Sequence, residues 1–190
     1  MSGSIFLRHS SRIALGWLLL VSWGCVHRIH VTPAPPAVSP ITISQTLHVR
    51  VPFLALEGAD HRQGIILLEW PAEDLRSAVT DYIQSRRTFT SVGDRPADLI
   101  LTVNSWLTMR SSGSYHYSLR LESSLGPSEK SSIKSYLVEK ETVGSSVRWI
   151  TASDQHPITE AVQAALDDLL TQIEADHLLY RKGRAEDGKN

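Results

Sequence analysis

Between Leu99 and Leu125 the chain alternates apolar and polar residues twice, with only Arg110 and the run Ser111-Ser112-Gly113-Ser114 between. Side chains with a period of two point to opposite faces of a pleated strand, so each run is a strand with one buried and one wet face. Leu99, Leu101, Val103, Leu107 and Met109 take one face of the first; Thr102, Asn104, Trp106 and Thr108 take the other. In the second, Tyr115, Tyr117, Leu119, Leu121 and Leu125 alternate with His116, Ser118, Arg120, Glu122 and Ser124. The serine-glycine break is a hairpin turn by composition. Gly126-Pro127-Ser128 turns the chain again, into a third, more polar strand over Ile133 to Val143. Three strands in series with short turns predict an antiparallel meander.

Such a sheet needs a cover for its apolar face. Leu75, Ala78, Val79, Tyr82 and Ile83 fall at helical spacing behind Pro71, with Glu73 and Asp74 in the first turn and Arg86 and Arg87 at the end. That is an amphipathic helix with charges suited to its dipole. A second stripe (Ile158, Ala161, Val162, Ala165, Leu166, Leu169, Leu170, Ile173) follows Pro157. Ahead of both, Gln45, Leu47, Val49, Val51 and Phe53 alternate as one face of a strand that Pro52 ends or places at an edge. Ile65 to Trp70 reads as a short strand leading into the first helix, Phe89 and Val92 as a return toward the core, and Val147 to Ile150 as a last short strand. The order strand, helix, three-strand meander, helix predicts an α+β two-layer sandwich: a small, mainly antiparallel sheet with both helices on one face.

The N-terminus reads as an address. Arg8 and Arg12 precede Ile13 to Val21, a nine-residue apolar run too short to span a bilayer but suited to a signal-peptide core. It ends at Ser22-Trp23-Gly24-Cys25, which resembles the lipobox of bacterial lipoproteins, although Trp23 stands where a small residue is usual. The resemblance implies cleavage before Cys25, acylation of that residue, and anchoring in membrane lipid through it; several acyl chains together hold stably where one binds marginally. Val26 after the cysteine, rather than Asp, points to the outer membrane, facing the periplasm. The expected organisation is a signal peptide over 1–24, a Pro-rich tether over 25–40, the α+β domain over 41–179 and a disordered charged tail over 180–190. Four prolines in VTPAPPAVSP favour an extended spacer with nothing to pack.

Chemistry is scarce. A hydrophobic content of 42% suits a globular domain. The balance of 19 Lys+Arg against 20 Asp+Glu lacks the basic surplus that nucleic-acid binding needs. A single cysteine excludes a disulfide framework and a multi-cysteine zinc site. The usual hydrolase, zinc-protease, P-loop and dinucleotide motifs are missing. His27 and His30 on the tether make a weak metal pair; Glu174 and His177, at i, i+3, read as a solvated helix face; Asp154 and His156 read as helix-capping residues. His116, Arg120 and Glu122 read as charges on the wet sheet face. The expectation is no enzyme, no cofactor and no metal. The aromatics say more. Trp70, Trp106 and Trp149 are the candidate partner-binding residues, Trp106 above all, because it stands on a nominally polar strand face and large aromatics are enriched at interfaces.

A lipobox, a Pro-rich tether and this order of elements resemble the ABC-type transport auxiliary lipoproteins, a family similar in turn to the amino-terminal domain of TolB. The likeness rests on Trp70-Pro71 leading into LRSAVTDYIQSRRTFTSV, on Ala97-Asp98-Leu99-Ile100-Leu101 opening a strand, on YHYSLRLESSLG, and on the closing helix ITEAVQAALDDLLTQIEAD. It implies a lipid-anchored accessory protein of an envelope transport system, acting by protein or lipid binding. The alternative is an assembly partner of an outer-membrane β-barrel or secretion apparatus, as lipopolysaccharide-assembly lipoproteins are.

Overall fold

The computed structural model describes residues 26–58, 67–94, 96–144 and 152–180. Cys25, Trp149 and the strand expected at Val147 to Ile150 lie outside them, as does the tail from 181. The elements in chain order are β1 (Val26–Arg28), β2 (Ile43–Glu57), β3 (Leu67–Glu69), α1 (Ala72–Arg86), β4 (Phe89–Val92), β5 (Leu99–Ser111), β6 (Tyr115–Gly126), β7 (Lys134–Gly144), α2 (Ala152–Ala175) and a 3-10 turn at His177–Tyr180. Five strands form one sheet in the order β4-β2-β5-β6-β7, and β1 pairs with β3 in a separate two-stranded ribbon. The result is the α+β two-layer sandwich expected from the periodicities, with the meander β5-β6-β7 antiparallel. The sheet is mixed, because β2 runs parallel to both of its neighbours, β4 and β5. The helix after β2 is what permits this: it carries the chain back along the sheet so that β4 and β5 restart beside β2 in the same direction.

The inner face follows the sequence pattern. Leu47, Val49, Leu101, Val103, Leu107, Leu119, Leu121 and Leu125 are buried against the helix stripes, and Leu75, Ala78, Val79, Tyr82 and Ile83 are buried to a residue. Gln45 is buried on the same face as expected for its place in the alternation. The Ala97-Asp98-Leu99 motif has a structural reason. The Asp98 carboxylate accepts from the Thr46 backbone N–H and hydroxyl, both at 3.0 Å, and the Asp98 N–H donates to Thr46 Oγ1 at 2.9 Å. This clamp sets the register in which Leu47 lies beside Leu99. Gly113 takes φ +84° in the hairpin tip. At Gly126 an added Cβ would stand 2.0 Å from the Ser131 carbonyl oxygen, so the β6–β7 turn folds back on bare backbone.

Several expectations are corrected. Phe53 does not continue the buried face: it is 46% exposed. The β2–β5 register slips by one residue between Arg50 and Phe53, and a one-residue slip exchanges the faces. Pro52, which cannot donate to the ladder, sits inside that bulge. The last helix opens at Ala152, with Pro157 inside it. Tyr180 belongs to the domain rather than the tail; it is buried, with its hydroxyl hydrogen-bonded to that of Tyr136.

The largest correction concerns 25–40. The described part of this stretch, from Val26, is packed, not a free tether. Ile29 (1% exposed) and Val31 belong to the core, and the Ile29 N–H continues the β1–β3 ladder to the Glu69 carbonyl at 2.8 Å. The strand then becomes a strap between the two helices. His30 Nδ1 lies 2.8 Å from Asp74 Oδ2 on α1, and the His30 carbonyl accepts from Gln155 Nε2 on α2 at 2.7 Å. The Ser39 N–H donates to the Arg86 carbonyl at the far end of α1. Prolines suit this course, because they prefer extended backbone and lose little entropy on docking.

Where the strap meets the helix ends, a buried polar cluster ties the two helices together. Arg86 donates to Glu174 through Nε (2.9 Å) and Nη2 (3.2 Å) and to Asp167 through Nη1 (2.8 Å). Thr88 Oγ1 donates to Glu174 at 2.9 Å, and the Tyr82 hydroxyl to Asp167 at 2.6 Å. Glu174, expected on a solvated face, is only 6% exposed. Burial pushes its carboxyl up, and the donors Arg86, Ser39 and Thr88 more than reverse this, holding it below the usual range. The Tyr82 hydroxyl is pushed well above its ordinary value by burial and by the Asp167 carboxylate.

Candidate functional site

The helices cover one face of the sheet and leave the other open. Across it the register brings Trp106 beside Ala55 of β2 and Arg120 of β6, and Arg120 beside Glu139 of β7. One step along, Asn104 lies between Phe53 and Glu122, and Glu122 lies beside Leu137. Trp106 is half-buried by its neighbours. Its ring meets that of Phe53 with centroids 5.2 Å apart and planes inclined at 48°. The Arg120 guanidinium carbon stands 5.7 Å from the indole centroid, a cation–π distance. Arg120 is held there by Glu122 on its own strand and by Glu139 at 3.7 Å across the ladder. Leu137 (54% exposed) extends the apolar surface toward the β7 edge, and Val143 is exposed further along that strand.

Two shallow depressions flank this centre. One, of about 350 Å³, has Asn104, Glu122, Ser124, Ser135 and Leu137 in its lining; the small serines opposite each other leave the dip. The other, of about 740 Å³, lies at the hairpin end and includes Glu57, Thr108, Arg110, His116 and Glu141. There His116 Nδ1 meets Glu141 Oε1 at 2.9 Å and Nε2 meets Ser114 Oγ at 3.1 Å. The connectivity is that of a nucleophile–base–acid relay, but Glu141 is 62% exposed, where water screens the charge that would activate such a relay. It works as a cross-strand polar pair. The whole face can therefore offer an apolar aromatic pair, a fixed cation and hydrogen-bonding rims.

The structure separates Trp106 from Trp70. Trp106 is on the open face. Trp70, the second candidate, is 5% exposed and part of the core, so it presents no contact surface; it stands between β3 and Pro71, the N-cap residue of α1. Trp149 and the acylation candidate Cys25 lie outside the described residues. The partner that the sequence reading missed is Phe53: a proline inside an alternating run was the available sign of a bulge and hence of a change of face. Among the described residues no group of three or more His, Cys, Asp or Glu side chains is placed to hold a metal ion, and no helix is long and apolar enough to cross a membrane.

No family model and no curated protein matches the sequence. Solved structures do match the fold. Protein XCC0632 from Xanthomonas campestris, of the DUF330 family, superposes with a TM-score of 0.56 at 14% identity, over 80% of this chain and 95% of that one. The hypothetical protein CT253 from Chlamydia trachomatis gives 0.50 at 8% identity, over 70% and 98%. A minor lipoprotein from Acinetobacter baumannii gives 0.47 at 9% identity, over 69% and 93%. At such identities the likeness is one of fold.

Proposed function

We propose that the chain is a lipid-anchored accessory lipoprotein of the bacterial envelope that serves a transport system by binding, with the open sheet face as its contact surface. The observation that carries this is the Phe53–Trp106–Arg120 cluster with Leu137 beside it. A wet sheet face made only for solvent has no use for two aromatics packed at a tilt with a guanidinium over one of them, and such groups are the usual anchors of interfaces. The lipobox-like Ser22-Trp23-Gly24-Cys25 supports the anchor, and the resemblance of Trp70-Pro71 and Ala97-Asp98 to the transport auxiliary family supports the role. Val26 supports the outer membrane.

The test is affinity purification of the detergent-solubilised full-length chain with mass spectrometry of what it brings along. Recovery of ABC-transporter or lipid-shuttle components, lost in Trp106→Ala, is the expected result. Recovery of one β-barrel protein instead would replace the transport role with the assembly role. Cys25→Ser should move the chain to the soluble fraction; a chain that stays uncleaved and membrane-bound in both forms refutes the anchor.

A further inference from the structure

We infer that the domain sits directly on the bilayer surface, hairpin end down, with no spacer between lipid and fold. This rests on the lipid-anchored reading above. Acylated Cys25 would be covalently next to Val26, and Val26 is already the first residue of β1, in register with Leu67 of β3. Consecutive Cα atoms are about 3.8 Å apart, so the lipid-bearing residue has no slack. Were residues 26–40 a free Pro-rich spacer, they would reach about 45 Å from the membrane. The structure uses that length differently, running it along the domain between the helices.

The direction of the strap decides which end meets the lipid. Its start is tied by the His30 carbonyl to Gln155, near the beginning of α2, and α2 follows β7, whose last residue, Gly144, pairs with Tyr115 at the start of β6. Its middle is tied by the Ala34 N–H to Gln163 Oε1 at 3.4 Å, two turns further along α2. Its end is tied by Ser39 to Arg86, in the cluster with Glu174 near the close of α2. The strap therefore runs from the β5–β6 hairpin end to the opposite end. Val26, the residue that would follow the acylated cysteine, lies at the hairpin end, and the β6–β7 turn lies at the other. The twelve residues of β6 separate the two ends by about 40 Å. The open face with Trp106 then stands upright from the membrane, reachable from the side by a partner in the same bilayer or in the periplasm.

Cys25 is the chain's one cysteine, so acylation leaves thiol chemistry free for labels. The full-length lipidated protein carries bimane at Ser112→Cys in the hairpin or at Lys130→Cys in the far turn, both exposed positions. It is reconstituted in phosphatidylethanolamine–phosphatidylglycerol vesicles containing a headgroup-nitroxide lipid. The expected result is loss of most of the Ser112→Cys emission and none of the Lys130→Cys emission. A twenty-residue Gly/Ser insert between Cys25 and Val26 should abolish the contrast while the chain still floats with the vesicles. A chain that floats but shows equal quenching at both positions overturns the seating alone. A chain that does not float with vesicles overturns the anchor and the seating with it.

Discussion

Arg86→Met removes both hydrogen bonds that Arg86 gives to Glu174, and leaves a carboxylate that is 6% exposed with only Thr88 and Ser39 to satisfy it. Breaking one side of a buried ion pair costs about 3–5 kcal/mol, because the surviving charge stays desolvated. The two remaining hydroxyl donors place this case at the low end, about 3 kcal/mol. For a domain of this size that lowers Tm by roughly 6–12 °C. The sign with pH is distinctive. In the intact protein the Glu174 carboxyl is held below its usual range, so its contribution is complete above the ordinary carboxylate pKa of about 4.3 and is lost as pH falls through the lower folded value. Without Arg86 that pKa rises, because burial, the largest single influence on it, is then opposed only by Ser39 and Thr88. The variant's deficit is then full at neutral pH and narrows as pH falls through the raised value, where the buried group becomes neutral. Thermal unfolding by circular dichroism of the Cys25→Ser chain, with and without Arg86→Met, at neutral pH and near pH 4.5, measures both effects. The double change Arg86→Met with Glu174→Met should regain most of the loss, since an apolar pair replaces the ions without leaving a charge behind. A loss under about 1 kcal/mol, or a deficit that does not change with pH, refutes the assignment of this cluster as the tie between the two helices.

Ile29→Ala should destabilise the domain by about 2–4 kcal/mol, seen as a lower denaturation midpoint with m unchanged, because Ile29 is core rather than tether; a shift within error would return residues 26–40 to the role of spacer. Asp98→Ala removes the acceptor for the Thr46 N–H and hydroxyl, and should cost about 1–3 kcal/mol and speed hydrogen exchange at the head of β2 and β5. Trp106→Ala, on the open face, should change stability far less than Ile29→Ala while abolishing partner recovery; equal losses of stability would mean that Trp106 is a core residue.

The elements that could be read from the chain are those whose burial repeats at a fixed interval. Leu99 to Met109, Tyr115 to Leu125 and the stripe from Leu75 to Ile83 each state their own period, and each is buried where the period says, Tyr115 only in part. The hairpin at Ser111–Ser114 and the turn at Gly126 are local chemistry, legible from Gly and Pro alone. Trp106 was legible as a candidate because it broke its strand's pattern. What periodicity could not carry was any pairing between distant segments. Phe53 joined Trp106 only through a register slip between two strands about 50 residues apart in sequence. Glu174 was read as solvated because its partner, Arg86, is 88 residues away, and a charge looks exposed until its counter-charge is brought to it. The strap looked like a tether because proline favours extended backbone whether or not a groove lies beneath it. Local patterning is enough to give the long strands, both helices and their apolar faces, since these depend on neighbours within a few residues. The parallel placement of β2, the open sheet face and the docked course of the chain from Val26 come from long-range contacts instead. Those depend on contacts whose entropy of closure must be met by burial and hydrogen bonds across the whole fold.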